Sequence, residues 1–237
     1  MKKPKMVLFD FGGTLCTGSF DLEKGMEALR LAANNHDCAT TKEMCGMWRE
    51  ASDYLRSNTN KVETPLDAVL RGILIRCGLR YDFGVDECGT IFDSANSEGR
   101  KPLPFIEELL RVLHEKGIRT AVISNNALSG KQLKRVIDFQ IPRNKFEFIF
   151  SSADFLMCKP APDMFEAAAK FARLDPSECW YCGDSFGDDV RGSHKAGMFA
   201  VHYAADFEIP FELKTDNQKA YAAINDWRAL ISKVAEM

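Results

Sequence analysis

The second half of the chain alternates between short strand-like runs and amphipathic helical stretches, and this alternation constrains the fold more than any other feature. Apolar strand candidates lie at residues 6–9, 119–123, 146–150, 179–182 and 199–203. Helical patterns separate the later ones. Strands that alternate with helices are typical of a parallel sheet covered by helices on its faces. We therefore predict an α/β fold with a doubly wound parallel sheet.

Local signals place the helices between these strands. Residues 105–116 carry an apolar stripe and are followed by Gly117, which is typical of a helix end. Ser129 with Gln132 three residues later forms a capping box, so a helix begins there. Pro162 lies where the first turn of another helix accepts a proline.

Residues 17–99 differ from the rest, because they contain helical periodicities and almost no strand pattern. Thr64, Pro65 and Asp67 supply an N-cap, a first-turn proline and a first-turn acid for one of these helices. The chain of 237 residues is long enough for one core with an insertion. We predict an α/β core of residues 1–16 and 100–237, interrupted by a small all-helical domain at 17–99.

The composition excludes several classes of protein. A hydrophobic content of 46% with 27% charged residues is that of an ordinary globular chain, not a disordered one. The net charge of −3 gives no broad basic surface, so we expect neither a nucleic acid nor a membrane as partner. The eight cysteines are dispersed, which favours reduced thiols and a cytoplasmic protein. No feature predicts the oligomeric state.

Asp10 follows the first strand candidate and begins the run DFGGTL. Open α/β sheets bind their ligands at the carboxyl ends of the strands, so this position makes Asp10 a candidate for chemistry. On this motif alone, a turn in which Asp10 merely caps the chain is an equally good interpretation.

Two further motifs place polar groups after strand-like runs. Ser124 and Asn125 end the run VISN, where a hydroxyl and backbone amides suit a phosphate oxygen. Lys159 stands in the run CKPAP ahead of a helix, and its ammonium suits a phosphoryl group or a cluster of carboxylates. Each motif alone is weak, because strand ends often carry serine or asparagine and most lysines are solvated.

The strongest motif is the run GDSFGDDV, which places Asp184, Asp188 and Asp189 in one turn between a strand and a helix. Clustered acids repel one another, so a bound cation or a lysine is their natural compensation. Hard oxygen ligands without sulfur or imidazole nearby favour magnesium over zinc. We therefore predict a Mg²⁺ site at this turn.

In this order, the four motifs resemble those of the haloacid dehalogenase-like (HAD) hydrolase superfamily. The family pattern is a nucleophilic aspartate in Asp-x-Asp-Gly-Thr, a Ser or Thr that closes a later strand, a Lys before Pro, and a Gly-Asp turn followed by a second acid. The resemblance spans the whole chain. It implies a Rossmann-like core and a helical cap at 17–99, which in relatives closes over small phosphorylated metabolites.

The resemblance also implies a role for each motif in a Mg²⁺-dependent phosphoric monoester hydrolase. Asp10 would attack phosphorus and form an aspartyl-phosphate. Ser124, the Asn125 amide and Lys159 would hold the phosphoryl oxygens. Carboxylate and carbonyl oxygens would surround the metal, directly or through water: those of Asp10, Gly12, Asp184 and Asp189, with Asp188 an alternative ligand.

The chain departs from the family pattern at Gly12, where most phosphatases of the family carry a second aspartate. That side chain serves them as general acid and base, and its backbone carbonyl contacts the metal. Glycine retains the carbonyl and loses the acid, which is worth roughly 10²- to 10⁴-fold in rate. A first interpretation is a phosphatase that acts on good leaving groups, or one that borrows a proton donor from the cap, such as His36 or an acid there.

Two other interpretations remain open. Carbon-bond hydrolases of the superfamily also lack the second aspartate. Haloacid dehalogenases need no proton for halide departure, but they resemble one another in lacking the metal carboxylates that this chain keeps. Phosphonoacetaldehyde hydrolases need a cap lysine, for which Lys24, Lys42 and Lys61 are the candidates. The last interpretation is a non-catalytic, phosphoryl-binding or regulatory relative.

Two weaker motifs are set aside. The run GDSFG matches the nucleophile elbow G-x-S-x-G at Ser185, but His194 and His202 follow too closely to leave room for the usual acid before a distant histidine. Cys179 and Cys182 form a C-x-x-C pair on a predicted strand, where positions three apart face opposite sides. A buried apolar strand is the better interpretation.

Overall fold

The computed structural model describes residues 1–18, 20–58, 62–155 and 157–237, and for 56–58 it describes the backbone alone. Its strands are β1 (Met6–Phe9), β2 (Cys16–Thr17), β3 (Lys101–Pro102), β4 (Arg119–Ser124), β5 (Ile149–Ser151), β6 (Cys179–Gly183), β7 (Phe199–Tyr203), β8 (Phe211–Asp216) and β9 (Lys219–Ile224). Its α-helices are α1 (Leu22–Ala32), α2 (Thr41–Asn58), α3 (Leu66–Arg76), α4 (Val85–Asn96), α5 (Ile106–Glu115), α6 (Gly130–Gln140), α7 (Ser152–Phe155), α8 (Asp163–Ala172), α9 (Arg191–Lys195) and α10 (Trp227–Ala235).

Seven of the described strands form one large sheet in the order β5-β4-β1-β6-β7-β9-β8. The strand β1 lies between β4 and β6 and pairs in parallel with both. The chain builds outward from β1 on one side through β4 and β5, and then returns to build the other side from β6. The predicted doubly wound α/β fold is thus confirmed, and its topological switch point lies at the carboxyl end of β1.

The central strands are buried on both faces because alternate residues supply two apolar layers. Val7 and Phe9 of β1 face one layer, which includes Trp227 of α10. Met6 and Leu8 face the other layer, which includes residues of α8. Cys179 and Cys182 are both buried and belong to different layers, as the spacing in the C-x-x-C pair predicts. All eight cysteines are free.

The observed helices follow the local signals in the sequence closely. The apolar stripe of α5 is buried, and Ser129 and Gln132 form the predicted capping box at the start of α6. The helix α3 begins one residue later than its cap signal predicts, because Pro65 and not Thr64 is its N-cap. Pro162 likewise precedes α8 as its N-cap. These are the small offsets that are usual at helix ends.

The helices α1 to α4 all lie between β2 and β3, and we call them the helical block. Their shared interior includes Met26, Leu70 and Phe92, and the rings of Trp48 and Phe92 stack with their centroids 5.1 Å apart. The short strands β2 and β3 pair antiparallel where the chain enters and leaves the block. No helix in the described residues has the length and apolar character that a membrane crossing requires.

The structure differs from the strand predictions at two places. The run at 146–150 is strand only from Ile149, where it pairs with β4. The antiparallel hairpin of β8 and β9 carries no strand prediction, and it adds an antiparallel edge to the sheet. Its outer strand β8 has no fully buried residue and carries three charged ones, Glu212, Lys214 and Asp216, so its sequence does not resemble the apolar runs of a buried parallel strand.

Candidate active site

Three carboxylates meet at the carboxyl ends of β1 and β6. One oxygen each from Asp10, Asp184 and Asp189 lies within 4.8 Å of the others. Asp10 directly follows β1, and its backbone N–H donates to the Cys182 carbonyl at 2.9 Å, which continues the parallel pairing by one residue. Asp184 directly follows β6. The parallel sheet therefore brings the first and fourth sequence motifs to one edge, as their positions predict.

Lys159 enters this cluster from the loop before α8. Its Nζ lies 2.7 Å from Oδ1 of Asp10, 2.6 Å from Oδ1 of Asp189 and 2.8 Å from the hydroxyl of Tyr181. The lysine is only 4% exposed, and it has three oxygen acceptors for its three N–H donors. It is therefore not the solvated lysine that the sequence alone left open, but a buried cation between two carboxylates.

Ser124 and Asn125 lie at the end of β4, next to β1. Ser124 is buried. The side chain of Asn125 accepts from the Lys159 N–H at 2.8 Å and donates to the Lys159 carbonyl at 3.0 Å. This amide side chain fixes the backbone that carries the lysine, and the group of Asn125 that remains for a phosphoryl oxygen is its backbone N–H.

The glycines after Asp10 shape the approach to the carboxylates. Gly13 has φ +72°, and a Cβ there would lie 2.4 Å from Oδ2 of Asp184. Glycine is therefore required for Asp184 to come this close, and Thr14 Oγ1 donates to Oδ1 of the same carboxylate at 3.3 Å. A Cβ on Gly12, in contrast, would meet nothing within 4 Å. The position that lacks the family's second aspartate has open space around it.

The turn after β6 is held by its own side chains. Asp189 Oδ2 accepts from the Ser185 N–H at 2.9 Å, and Ser185 Oγ accepts from the Asp188 N–H at 3.2 Å. The hydroxyl of Ser185 thus caps the turn, which gives the nucleophile-elbow interpretation no support. Asp188 is partly exposed and lies outside the three-carboxylate cluster.

The electrostatics of the cluster favour an added cation. Burial is the largest cause that raises the pKa of Asp10, and it outweighs the attraction of the Lys159 ammonium. Burial together with the charge of Asp10 also raises the pKa of Asp184. For Lys159, burial acts to lower the pKa, but the two adjacent carboxylates prevail and raise it, so the ammonium stays charged. Three carboxylates face one ammonium here, which leaves negative charge to be compensated.

This donor set fits Mg²⁺. The carboxylate oxygens of Asp10, Asp184 and Asp189 are the hard ligands that this ion prefers. Gly12, two residues after Asp10, adds a backbone carbonyl of the same kind. A divalent cation would also offset the charge that raises the pKa of Asp10 and of Asp184.

Two residues at the site carry no prediction from the sequence. Tyr181 accepts a hydrogen bond from Lys159 and donates one to the Ile123 carbonyl at 2.7 Å. Thr14 supports Asp184. A tyrosine in the middle of a buried apolar strand is a signal in itself, because its hydroxyl requires a buried partner. The identity of that partner depends on the fold.

In the described residues, His36 and Lys24 make their polar contacts with other residues of 17–99. His36 follows α1, and its ring lies 3.5 Å from Asp37. Lys24 pairs with Glu98 on the surface at 2.7 Å, and Lys42 is exposed. Lys61 lies outside the described residues.

An acid of the loop between α2 and α3 does reach the core. Oε2 of Glu63 accepts from Ser152 Oγ at 2.8 Å and lies 3.8 Å from Sγ of Cys158, the residue before Lys159. Val62 and Met157 form an isolated backbone bridge beside it.

The doubly wound sheet, with a carboxylate–lysine cluster at its switch point, places the chain among the α/β proteins that carry their site at the carboxyl ends of the strands. The model of the haloacid dehalogenase-like hydrolase family matches residues 4–197 of the chain. The chain belongs to this family.

Curated relatives are similar over part of their length. Glyceraldehyde 3-phosphate phosphatase from Methanopyrus kandleri is 28% identical over 137 residues, which are 58% of this chain and 58% of that protein. The human haloacid dehalogenase-like hydrolase domain-containing protein 3 is 30% identical over 92 residues, or 39% of this chain and 36% of that one. The chain thus spans between about a third and three fifths of these relatives.

Solved structures match the chain along nearly its full length. A 2-haloacid dehalogenase from Pseudomonas syringae pv. Tomato has a TM-score of 0.62 at 20% identity, with 98% of each chain covered. A HAD phosphatase from Thermococcus onnurineus has a TM-score of 0.60 at 19% identity, with 97% of each chain covered. These likenesses show the shared fold.

Proposed function

We propose that the protein is a Mg²⁺-dependent phosphatase that hydrolyses a small phosphorylated metabolite through an aspartyl-phosphate on Asp10. The observation that carries this proposal is the Lys159 ammonium, buried between Asp10 and Asp189 with Asp184 beside them. In-line phosphoryl transfer spreads negative charge over the transferring oxygens, and preorganised cations stabilise that charge.

In the first step, an Asp10 carboxylate oxygen forms a bond to phosphorus while the bond from phosphorus to the leaving oxygen breaks. Lys159 fixes Oδ1 of Asp10 and supplies positive charge beside the phosphoryl group. The Ser124 hydroxyl and the Asn125 backbone N–H donate to the phosphoryl oxygens. Water then attacks the aspartyl-phosphate, inorganic phosphate leaves, and the Asp10 carboxylate is restored.

Oxygens of Asp10, Gly12, Asp184 and Asp189 would hold Mg²⁺, directly or through water. The bound ion shields the nucleophilic carboxylate from the negative charge of the substrate. The protein's own part is to hold Asp184 close to Asp10, which the absence of a side chain at Gly13 permits.

The absence of an acidic side chain at position 12 favours substrates with good leaving groups. Without a proton donor at that position, leaving groups that depart as stable anions, such as those of acyl or phenyl phosphates, are favoured. Glu63, in the loop between α2 and α3, is an acid that contacts the loops carrying Asn126 and Lys159, through Ser152 and Cys158. It takes the place of His36 as the candidate for a borrowed proton donor.

The relatives named as phosphatases support the phosphatase interpretation, and the metal-binding carboxylates of this chain agree with it. Carbon–halogen hydrolysis is a second candidate because Gly12 lacks the acid, which halide departure does not need. The free thiols and the small-molecule chemistry also suit the cytoplasm, where we propose that the protein acts.

Turnover of para-nitrophenyl phosphate and of acetyl phosphate with Mg²⁺ tests the proposal, beside an Asp10→Asn control. We expect Mg²⁺-dependent phosphate release that the control lacks. Equal, background rates for both proteins would overturn the phosphatase assignment. Halide release from 2-chloropropionate without Mg²⁺ would establish the second candidate instead.

A further inference from the structure

His202 lies beside the metal-binding turn but has no part in the reaction proposed above. It is 8% exposed and pairs in register with Gly183, the residue before Asp184. Its Nε2 lies 3.0 Å from the Asp184 carbonyl oxygen. Because a carbonyl only accepts, Nε2 carries the proton in this hydrogen bond.

The other ring nitrogen shows why a histidine here is unusual. Nδ1 is buried and has no hydrogen-bond partner within the described residues. Aromatic rings surround the imidazole: Phe207 at 5.2 Å, Phe186 at 5.4 Å and Tyr221 at 6.4 Å between centroids. An unpaired polar nitrogen in such surroundings costs stability, and an apolar ring would fill the same space without that cost. The compensating contact is the bond from Nε2 to Asp184.

That bond acts on the peptide unit that joins Asp184 to Ser185. Its carbonyl accepts from His202 at 3.0 Å, and its N–H donates to Oδ2 of Asp189 at 2.9 Å. The peptide unit is planar, so the two bonds fix its orientation from opposite ends. They thereby fix the carboxylates of Asp184 and Asp189 relative to each other, because Asp184 contributes its carbonyl to this peptide unit and the Asp189 carboxylate accepts from its N–H.

We propose that His202 is a positioning residue of the metal site, which holds the Asp184 peptide so that the Asp184 carboxylate faces Asp10. The proposal rests on the proposed Mg²⁺ site. Residues that orient metal ligands typically change metal affinity by 10- to 100-fold when they are replaced. We expect the low end of this range, because His202 acts on the backbone of the ligand and not on its carboxylate.

The test replaces His202 by phenylalanine, which keeps an aromatic ring in the cage and removes the donor. Mg²⁺ affinity is measured by isothermal titration calorimetry on the metal-free protein, and stability by urea unfolding without metal. For His202→Phe we expect about tenfold weaker Mg²⁺ binding with a free energy of unfolding close to that of the wild type, because the lost hydrogen bond to the Asp184 carbonyl offsets the removal of the unpaired Nδ1. A role in packing alone would change stability without changing Mg²⁺ affinity.

His194→Phe is the matched control. His194 is 6% exposed, its ring also contacts Tyr221, and its Nε2 lies 3.3 Å from the carbonyl of Ala220, away from the carboxylates. Its replacement should leave Mg²⁺ affinity unchanged. His202→Gln, whose side-chain amide can still donate to Asp184, should restore most of the affinity.

Each outcome of these measurements has a distinct meaning. A wild-type protein that binds no Mg²⁺ would overturn the metal site and the role of His202 with it. Equal affinity in wild type and His202→Phe would overturn the role of His202 alone, as would an equal loss in the His194 control. If the larger ring prevents folding, His202→Leu removes the same donor, and the same comparison applies.

Discussion

The Lys159 ammonium donates a hydrogen bond to Tyr181 in addition to those to its two carboxylates. The tyrosine hydroxyl accepts from the ammonium and donates to the Ile123 carbonyl, so it completes two buried hydrogen-bonding groups at once. For Tyr181→Phe we expect a loss of about 1–3 kcal/mol in the free energy of unfolding, because a buried donor and a buried acceptor each lose a partner. Urea unfolding measures this loss.

Tyr203→Phe is the control for that change. Tyr203 stacks on Trp227 with ring centroids 4.9 Å apart, in the apolar layer opposite to that of Tyr181. Its variant should stay within about 0.5 kcal/mol of the wild type, as substitutions away from buried networks usually do. Similar losses in both variants would show that the hydroxyl of Tyr181 has no special role.

Replacement of Gly12 tests for a gain in catalytic activity. A Cβ there meets nothing within 4 Å, so the side chain of an aspartate has room beside Asp10. We expect Gly12→Asp to raise phosphatase turnover, by up to the 10²- to 10⁴-fold that a positioned acid or base contributes. The gain should be largest for alkyl phosphates, whose leaving groups most need a proton.

Gly12→Asn separates the acid from its bulk, because it adds a side chain of the same shape without a titratable proton. Steady-state turnover of both variants with Mg²⁺ makes the comparison. If Gly12→Asp is no faster than Gly12→Asn in proteins that bind the metal, proton transfer does not limit the reaction or another group already supplies it.

For two histidines at helix ends, burial affects the pKa of the imidazole more than the helix dipole does. His114 and His194 lie in the last turns of α5 and α9, where the helix dipole favours a charged imidazole. Burial nevertheless lowers the pKa of both, with help from Lys145 and Lys219 respectively. Both rings are thus better tolerated neutral in the folded state.

The sign of the pH effect follows. Each folded-state pKa lies below the unfolded value of about 6.5, so the unfolded chain binds more protons as the pH falls through that value. Stability from these groups is complete above about pH 6.5 and declines toward each folded pKa, with a slope of at most about 1.4 kcal/mol per pH unit for each histidine. Urea unfolding between pH 5.5 and 7.5 should show that the free energy of unfolding depends less steeply on pH in His114→Gln than in the wild type. An unchanged pH dependence would contradict this account.

The elements that could be predicted are those with local causes. The capping box of Ser129 and the apolar stripe of α5 act within one turn of helix, so the sequence alone predicts them. The β8–β9 hairpin could not be predicted in the same way. Its two turn residues, Asn217 and Gln218, have positive φ, but neither belongs to the glycine turns that signal a hairpin in sequence.

At the scale of the whole molecule, the candidate site follows from one rule of topology. Asp10, Ser124 and Asp184 each end a parallel strand, and parallel strands that are neighbours place such ends together. Tyr181 and Glu63 escape prediction because their roles depend on which distant loop arrives beside them. The same is true of Asn125, whose side chain holds the Lys159 backbone, a contact that no motif shows.

The helical block is attached to the core by polar contacts near the site. The Leu66 N–H donates to the Ala127 carbonyl at 2.8 Å. On α6, the Gln132 side chain donates to Asp67 at 2.9 Å and to the Asp86 carbonyl at 3.2 Å, which joins one core helix to α3 and α4. Gln132 also completes the capping box of its own helix, so a single side chain couples the start of α6 to the block.

Gly89 of α4 makes this coupling possible, and its replacement tests it. A Cβ there would lie 2.4 Å from Nε2 of Gln132 and 2.7 Å from Oδ1 of Asp67, so Gly89→Ala must displace these side-chain ends, and we expect it to break their hydrogen bond. Gly72 of α3 has nothing within 4 Å of its Cβ, and Gly72→Ala is the matched control. The control should gain about 0.5–1 kcal/mol in the free energy of unfolding from helix propensity alone. Gly89→Ala should fall about 0.5–1.5 kcal/mol below the control, the net value of the lost hydrogen bond. Urea unfolding measures the free energy of unfolding of both variants. Equal gains would mean that the Gln132 hydrogen bond to Asp67 does not hold the helical block to the core.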